Sequence, residues 1–233
     1  MTAPVLVIAH EENSPPGLFA RWLEARELPF AVTAFGEIPA DPAEWRAIVS
    51  LGWEETAASD RPEVLSELAL LQAAITAEIP VLGLCFGSQI LARALGGTVA
   101  PRHPGEFGWV RPAGPEDSPI TAMPWFCWHD DAFELPGDAG ILASTDLCTQ
   151  AYRVGQNVGF QFHPEVDEAT IDAWLAQRAA GDHPPVDFAA VRKEITALLP
   201  GLEARAFALF DWWAAEVGLA ASASASAAER SKA

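Results

Sequence analysis

The chain is poor in cationic side chains: 14 Lys and Arg stand against 32 Asp and Glu, a formal net charge of −18 over 233 residues. That balance argues against a nucleic-acid partner or an anionic membrane bound through a basic face. Cysteine is scarce as well. Three cysteines, in no framework of spacings, fit a reducing cytoplasm rather than a disulfide-stapled secreted scaffold. The sequence contains no Cys-x-x-Cys, no His-Glu-x-x-His and no glycine-rich phosphate loop. Neither a metal nor a nucleotide cofactor is therefore expected. No apolar run approaches the roughly 20 residues needed to span a bilayer. The first residues lack a basic n-region and a cleavage site, and Pro4 to Ala9 reads as a short strand rather than a signal peptide.

What is present is the composition of a folded, soluble protein, 50% apolar and 20% charged. The runs Val5–Ala9, Ala47–Ser50 and Val81–Leu84 are short and continuously apolar, as in parallel strands covered on both faces. Phe30 to Ala34 reads as a further strand. Helical patterns lie between them, over Leu18 to Glu27 and over Pro62 to Glu78. The second of these shows Val64, Leu65, Leu68, Leu71 and Ile75 on one face. The expected fold is α/β, a three-layer sandwich around a mostly parallel central sheet.

The stretch that organises the chain is Pro80-Val81-Leu82-Gly83-Leu84-Cys85-Phe86-Gly87-Ser88-Gln89. A buried strand runs into a helix through Gly83-x-Cys85-x-Gly87, which puts a cysteine on a sharp turn at the strand's C-terminal edge. The helix N-terminus there favours a thiolate, and the Phe86 N–H points to where an oxyanion would form. Taken alone, the pattern fits a buried structural cysteine beside packing glycines equally well. The balance changes 78 positions later, where a strand ends in Phe162-His163-Pro164-Glu165. His163 can accept the thiol proton, and Glu165 can orient the imidazole. Cys127 and Cys148 have no such base nearby in sequence and read as inert apolar fillers. His10, on the loop after the first strand, reads as solvent-exposed.

With those residues in view, the chain resembles the class I (triad-type) glutamine amidotransferase family over about residues 5 to 178. Its details are most similar to stand-alone members akin to the amidotransferase domain of GMP synthase. Trp128-His129-Asp130-Asp131 matches that group's Trp-His-Gly-Asp, Glu106-Phe107-Gly108-Trp109 its Glu-x-Gly-Trp, and Gln150-Ala151-Tyr152-Arg153 also fits. The resemblance implies a flavodoxin-like sandwich. It also implies a second oxyanion N–H from Gly52, although Leu51-Gly52-Trp53 replaces the family's Gly-Gly-Pro. It assigns glutamine binding to Gln89 and to the His129, Asp130 and Asp131 segment. Asp130 stands where the family has glycine. Its carboxylate either faces the pocket and repels the substrate's α-carboxylate, or points into solvent and leaves only backbone to matter. Asp131 matches the family's own Asp and reads as structural.

The expected organisation is a catalytic domain over residues 1–180, a helical extension over 181–219 and a disordered Ala-Ser tail over 220–233. Asp182-His183-Pro184-Pro185 reads as the linker. The apolar stripes Phe188, Val191, Ile195, Leu198 and Leu202, Ala206, Leu209, Phe210, Trp213, Val217 must cover something. Padding of the domain, a homodimer face and a docking face for a partner are the three roles open to them. The resemblance implies an enzyme that hydrolyses a γ-carboxamide through a Cys85 thioester and passes ammonia to a separate acceptor or synthetase subunit. A free-standing γ-glutamyl hydrolase acting on amides other than glutamine is the second reading, and a non-catalytic binding or regulatory subunit the third. An α/β-hydrolase with a cysteine elbow fits less well, since its acid usually lies between nucleophile and histidine.

Overall fold

The structure, a computed structural model, describes residues 3–34, 37–181 and 187–219. The linker and tail expected at 182–185 and 220–233 lie outside the described residues. The strands β1 (Val5–Ala9), β2 (Phe30–Ala34), β3 (Ala47–Ser50), β4 (Val81–Leu84), β7 (Gly140–Ser144), β8 (Thr149–Val154) and β9 (Asn157–Phe160) form one sheet of seven, in the order β2-β1-β3-β4-β9-β8-β7. The pairs β1/β2, β1/β3, β3/β4 and β4/β9 are parallel, while β9/β8 and β8/β7 are antiparallel. This is the expected α/β sandwich with a mostly parallel sheet.

Alternation along the strands divides the core in two. Val5 and Val7 of β1 face one cluster, with α1 (Gly17–Ala25) and α6 (Leu202–Glu216); Leu6 and Ile8 face the other, with α2 (Pro62–Thr76) and α3 (Phe86–Ala94). Period-two side-chain direction thus gives every central strand two buried faces, which explains its unbroken apolar sequence. A third cluster joins α4 (Glu168–Ala180) and α5 (Phe188–Leu198) to Phe126. The Asp167 and Asp187 side chains cap these two helices by accepting from Thr170 N–H and from Ala189 and Ala190 N–H.

Two expectations need correction. The short strands at Thr98 and Phe107 are one strand, β5 (Thr98–Val110). It pairs antiparallel with β6 (Trp125–Glu134) in a separate ribbon whose register shifts between Pro101 and Glu106. The Pro and Gly residues that looked like a break are accommodated at that irregularity. On α2 the buried stripe is Val64, Glu67, Leu70, Leu71 and Ala74, whereas Leu65 is 40% exposed. Counting apolar residues misplaced the face because a glutamate, Glu67, sits at its centre.

Helix α6 lies on α1. Phe19 and Trp22 meet Phe210 and Trp213 with ring centroids 5.0–6.2 Å apart. At the edge of that cluster Asp211 accepts from Trp22 Nε1 at 2.9 Å and pairs with Arg26 at 2.6 Å. The C-terminal stripe therefore covers the sheet face beneath α1. Trp213 is fully buried, and replacing it by alanine should lower stability by about 3–5 kcal/mol. Urea unfolding followed by circular dichroism would check this, and a loss below 1 kcal/mol would mean that α6 adds little to the fold.

Candidate active site

The elbow is built from backbone. Cys85, between β4 and α3, has φ +52° and ψ −110°, outside the regions L-residues ordinarily occupy. Its N–H donates to Phe160 O at 2.8 Å, which ties the turn to the neighbouring strand. The flanking glycines are needed for close approach. A Cβ on Gly83 would lie 2.3 Å from Gly87 O, and one on Gly87 would lie 2.0 Å from Ser50 O. The G-x-C-x-G spacing thus records two points where backbones touch.

Above the sulfur sits His163, whose N–H donates to Phe126 O at 2.8 Å. Its Nδ1 is 2.7 Å from Glu165 Oε1, and both side chains are buried. The ring meets the Trp174 edge with centroids 4.6 Å apart. Burial works against a charged imidazole. The adjoining Cys85 sulfur and the Glu165 carboxylate outweigh it and raise His163 from 6.5 to about 10. The sulfur is also 3.5 Å from Trp128 O and 3.9 Å from Gln161 Nε2. A Cβ on Gly52 would come within 2.7 Å of the His163 ring, so a side chain there would displace the imidazole. Neither Gly52 N–H nor Phe86 N–H has a hydrogen-bond acceptor among the described residues.

These groups lie at one side of a cavity of about 320 Å³, also lined by Glu11, Trp53, Glu54, Glu55, Thr56 and the Trp128–Asp131 segment. Gln89 is buried there and donates to Asp131 O at 3.3 Å and to Gln161 Oε1 at 3.4 Å. The Asp131 carboxylate accepts from Thr56 Oγ1 at 2.5 Å, so it joins two walls of the cavity. Asp130 is exposed at the rim, within the electrostatic reach of Arg178. His129 has both ring nitrogens engaged, Nδ1 with Asp131 O at 3.0 Å and Nε2 with Glu106 Oε2 at 3.1 Å.

Glu106 also accepts from Gln150 Nε2 at 2.5 Å and from Cys148 Sγ at 3.3 Å. Cys148 is therefore not a simple filler. It is held as a thiol, since burial and the Glu106 charge push it up to about 12. Burial likewise pushes the Cys127 thiol well up. The ligand atoms of Glu106, His129 and Cys148 lie within 4.8 Å of one another, as a metal would require. Here, however, one carboxylate oxygen gathers three donors, and an ion would have to displace them. His10 also departs from expectation. It is buried under the Gly52 loop against Glu67, stacked on Trp53 and edge-on to Phe86.

Sequence reasoning missed Thr56, Gln161 and Glu67. Gln161 was detectable as a polar residue inside the apolar run Val158–Phe162. Thr56 and Glu67 were hidden in a loop and on a helix face that carry no motif.

The family model for glutamine amidotransferase class-I matches residues 47–179. The chain belongs to the class I glutamine amidotransferase family. It is thus a member of a family of cysteine-dependent enzymes. GMP synthase (glutamine-hydrolyzing) of Vibrio campbellii is 37% identical over 97 residues, 38% of this chain and 19% of the synthase. The Neisseria gonorrhoeae GMP synthase is 36% identical over 100 residues, with the same shares covered. The match spans about a fifth of these curated relatives. Among solved structures, a glutamine amidotransferase from Methylobacillus flagellatus superposes with TM-score 0.84 at 24% identity, over 93% of this chain and 96% of that one. A glutamine amidotransferase from Thermotoga maritima gives TM-score 0.76 at 25% identity, over 91% and 99%. The first shows the shared fold alone.

With Cys127 and Cys148 both held as thiols, Cys85 should be the first cysteine alkylated by iodoacetamide near neutral pH. His163→Asn should slow that reaction at least about 10-fold by removing the adjoining cation. Mass-spectrometric mapping of the labelled thiol checks both points, and earlier labelling at Cys148 would overturn the assignment.

Proposed function

We propose that the chain hydrolyses the γ-carboxamide of glutamine or a related γ-glutamyl amide, with Cys85 as nucleophile, His163 as proton carrier and Glu165 as the group that orients it. One observation carries this reading. A strained cysteine faces an imidazole that is fixed by a buried carboxylate, beside two N–H groups with no acceptor among the described residues.

In this reading His163 carries the Cys85 proton, since the adjoining sulfur and the Glu165 carboxylate favour the imidazolium against burial. The sulfur attacks the γ-carbon, forming the C–S bond, and the carbonyl electrons move onto oxygen. Gly52 and Phe86 N–H donate to that oxyanion. His163 gives its proton to the amide nitrogen as the C–N bond breaks, and ammonia leaves. Neutral His163 then takes a proton from water as it attacks the thioester. Collapse of the second tetrahedral species breaks the C–S bond, releases glutamate and returns Cys85 and His163 to their starting state. Gln89 and the His129–Asp131 segment bind the amino-acid end of the substrate. No cofactor is needed for these steps.

In this reading the released ammonia is used by a separate acceptor enzyme; the name of the relatives, GMP synthase (glutamine-hydrolyzing), joins glutamine hydrolysis to a synthesis. The protein would work in the cytoplasm. A second reading, hydrolysis of substituted γ-glutamyl amides, is favoured by the acidic cavity wall. Glu11, Glu54, Glu55, Asp130 and Asp131 line it, and no Lys or Arg does among the described residues. Such a wall suits an ammonium group and opposes additional carboxylates. Ammonia release from glutamine, set against amine release from a panel of γ-glutamyl amides, separates the two readings. No turnover of any of them, with no thioester on Cys85, would leave a binding subunit.

Two variants follow from these roles. Glu165→Gln should reduce kcat less than His163→Asn, and should move the alkaline limb of the kcat/KM profile below pH 10, because the lost carboxylate had stabilised the imidazolium. An unmoved limb would mean that Glu165 does not set the His163 charge. Asp130→Gly should lower KM for glutamine by about 2- to 5-fold with kcat unchanged, an exposed charge pair being worth less than about 1 kcal/mol. The gain should shrink as salt rises. A higher KM would instead make Asp130 a ligand of the substrate's ammonium group.

A further inference from the structure

The Leu51-Gly52-Trp53 stretch has no regular secondary structure, yet one of its N–H groups must keep a fixed direction beside Cys85. Hydrogen bonds from outside hold it. Leu51 N–H donates to Ile8 O, and Gly87 N–H donates to Leu51 O, both at 3.1 Å. The second bond orients the Leu51–Gly52 peptide, since a trans peptide is planar and its N–H lies opposite its carbonyl. On the other side of the residue, the Gly52 carbonyl meets His10 Nδ1 at 3.3 Å. Glycine has the widest backbone freedom and no side chain to pack, so both flanking peptides must be held.

His10 is itself tightly aimed. Its Nε2 is 2.7 Å from Glu67 Oε2, and Glu67 Oε1 accepts from Ser50 Oγ at 2.5 Å. The side chains of His10 and Glu67 are both fully buried. The ring stacks on Trp53 at 5.6 Å and meets Phe86 edge-on at 4.9 Å. A carbonyl oxygen only accepts, so the nitrogen facing Gly52 carries the proton. An apolar residue would fill the Glu67 site at less desolvation cost. The carboxylate is accounted for by what it holds.

We infer that His10 is a positioning residue: aimed by Glu67 and Ser50, it clamps the Gly52 carbonyl and keeps the Gly52 N–H directed at the oxyanion. His10 does not line the cavity, so it acts through the loop. The inference rests on the amide-hydrolysis reading above.

Asparagine and glutamine separate the two ring nitrogens. The amide nitrogen of His10→Asn falls where Nδ1 lies and still reaches Gly52 O, whereas that of His10→Gln falls near Nε2 and reaches Glu67. The measurements are kcat and KM for the amide that the wild type turns over, and the rate of Cys85 alkylation by iodoacetamide, which forms no oxyanion. His10→Asn should keep kcat within about 3-fold. His10→Gln should lose about 30-fold in kcat at unchanged KM, less than the 10²–10³ typical of deleting a donor outright. Alkylation should be unchanged in both. Glu67→Gln can accept from Ser50 and donate to His10 Nε2, so its kcat should stay near wild type, while Glu67→Met should fall with His10→Gln. That second pair decides the matter should the His10 variants fail to fold. Equal kcat within either pair, or alkylation that falls in step with kcat, overturns the inference. A wild type that turns over no γ-glutamyl amide defeats the amide-hydrolysis reading, and the inference with it, while Cys85 alkylation still reports whether the elbow is intact.

Discussion

The site depends on the hydrogen bond from Cys85 N–H to Phe160 O, 2.8 Å long, because it holds a non-glycine residue at φ +52°. Such a conformation costs about 1–3 kcal/mol and persists only where its surroundings over-determine it. Here they do. The residues on either side belong to β4 and α3, and β4 pairs with β9 along the strand that ends at Phe160. The strand that restrains the cysteine is therefore the one that leads into His163. The ladder register sets the sulfur beside the end of β9, and two residues of irregular chain further on the bridge between His163 and Phe126 holds the imidazole.

Much of this was legible in the sequence for a simple reason. Central parallel strands carry unbroken apolar runs, and glycine spacing records backbone contact, so Val81–Leu84 and Gly83-x-Cys85-x-Gly87 announce themselves. The stripe Leu202, Ala206, Leu209, Phe210, Trp213 was readable too, and all five residues are buried. What escaped detection shares one property: it is polar and inside. Glu67 shifted the apparent face of α2. His10, on a loop beside two glutamates, looked solvated although it is only 8% exposed. Patterns of hydrophobicity assume that polar residues face water, so they fail wherever a buried polar group has a partner distant in sequence. His10 and Glu67 are 57 positions apart, and Glu106 and Gln150 are 44 apart.

Of the three roles open to the C-terminal apolar stripes, α6 takes the padding of the domain: it contributes Phe210 and Trp213 to the same cluster as Val5, Val7 and Phe160. Its polar margin repeats the point, since Asp211 bridges Trp22 and Arg26 of the N-terminal helix region. Helices α1 and α6 thus cover one face of the sheet together. The sheet beneath them carries the elbow, so loss of α6 would reach the site through the core.

Three buried histidines surround the cavity or its supporting loop, each held by a buried glutamate: His163 by Glu165 and His10 by Glu67 at 2.7 Å, and His129 by Glu106 at 3.1 Å. In an acidic protein the repeated pairing has a physical basis, because a buried carboxyl group needs a hydrogen-bond partner, and imidazole supplies one on a short, rigid side chain. The pairs differ in what the second ring nitrogen meets. For His10 it is Gly52 O, and for His129 it is Asp131 O. A backbone carbonyl can only accept, so that nitrogen is fixed as a donor on each ring and both nitrogens are taken up by the protein. At His163 the nitrogen left over by Glu165 faces the Cys85 sulfur, which can bind or release a proton. The same pairing therefore yields two struts and one proton carrier, and what separates them is a single atom at the far side of the ring.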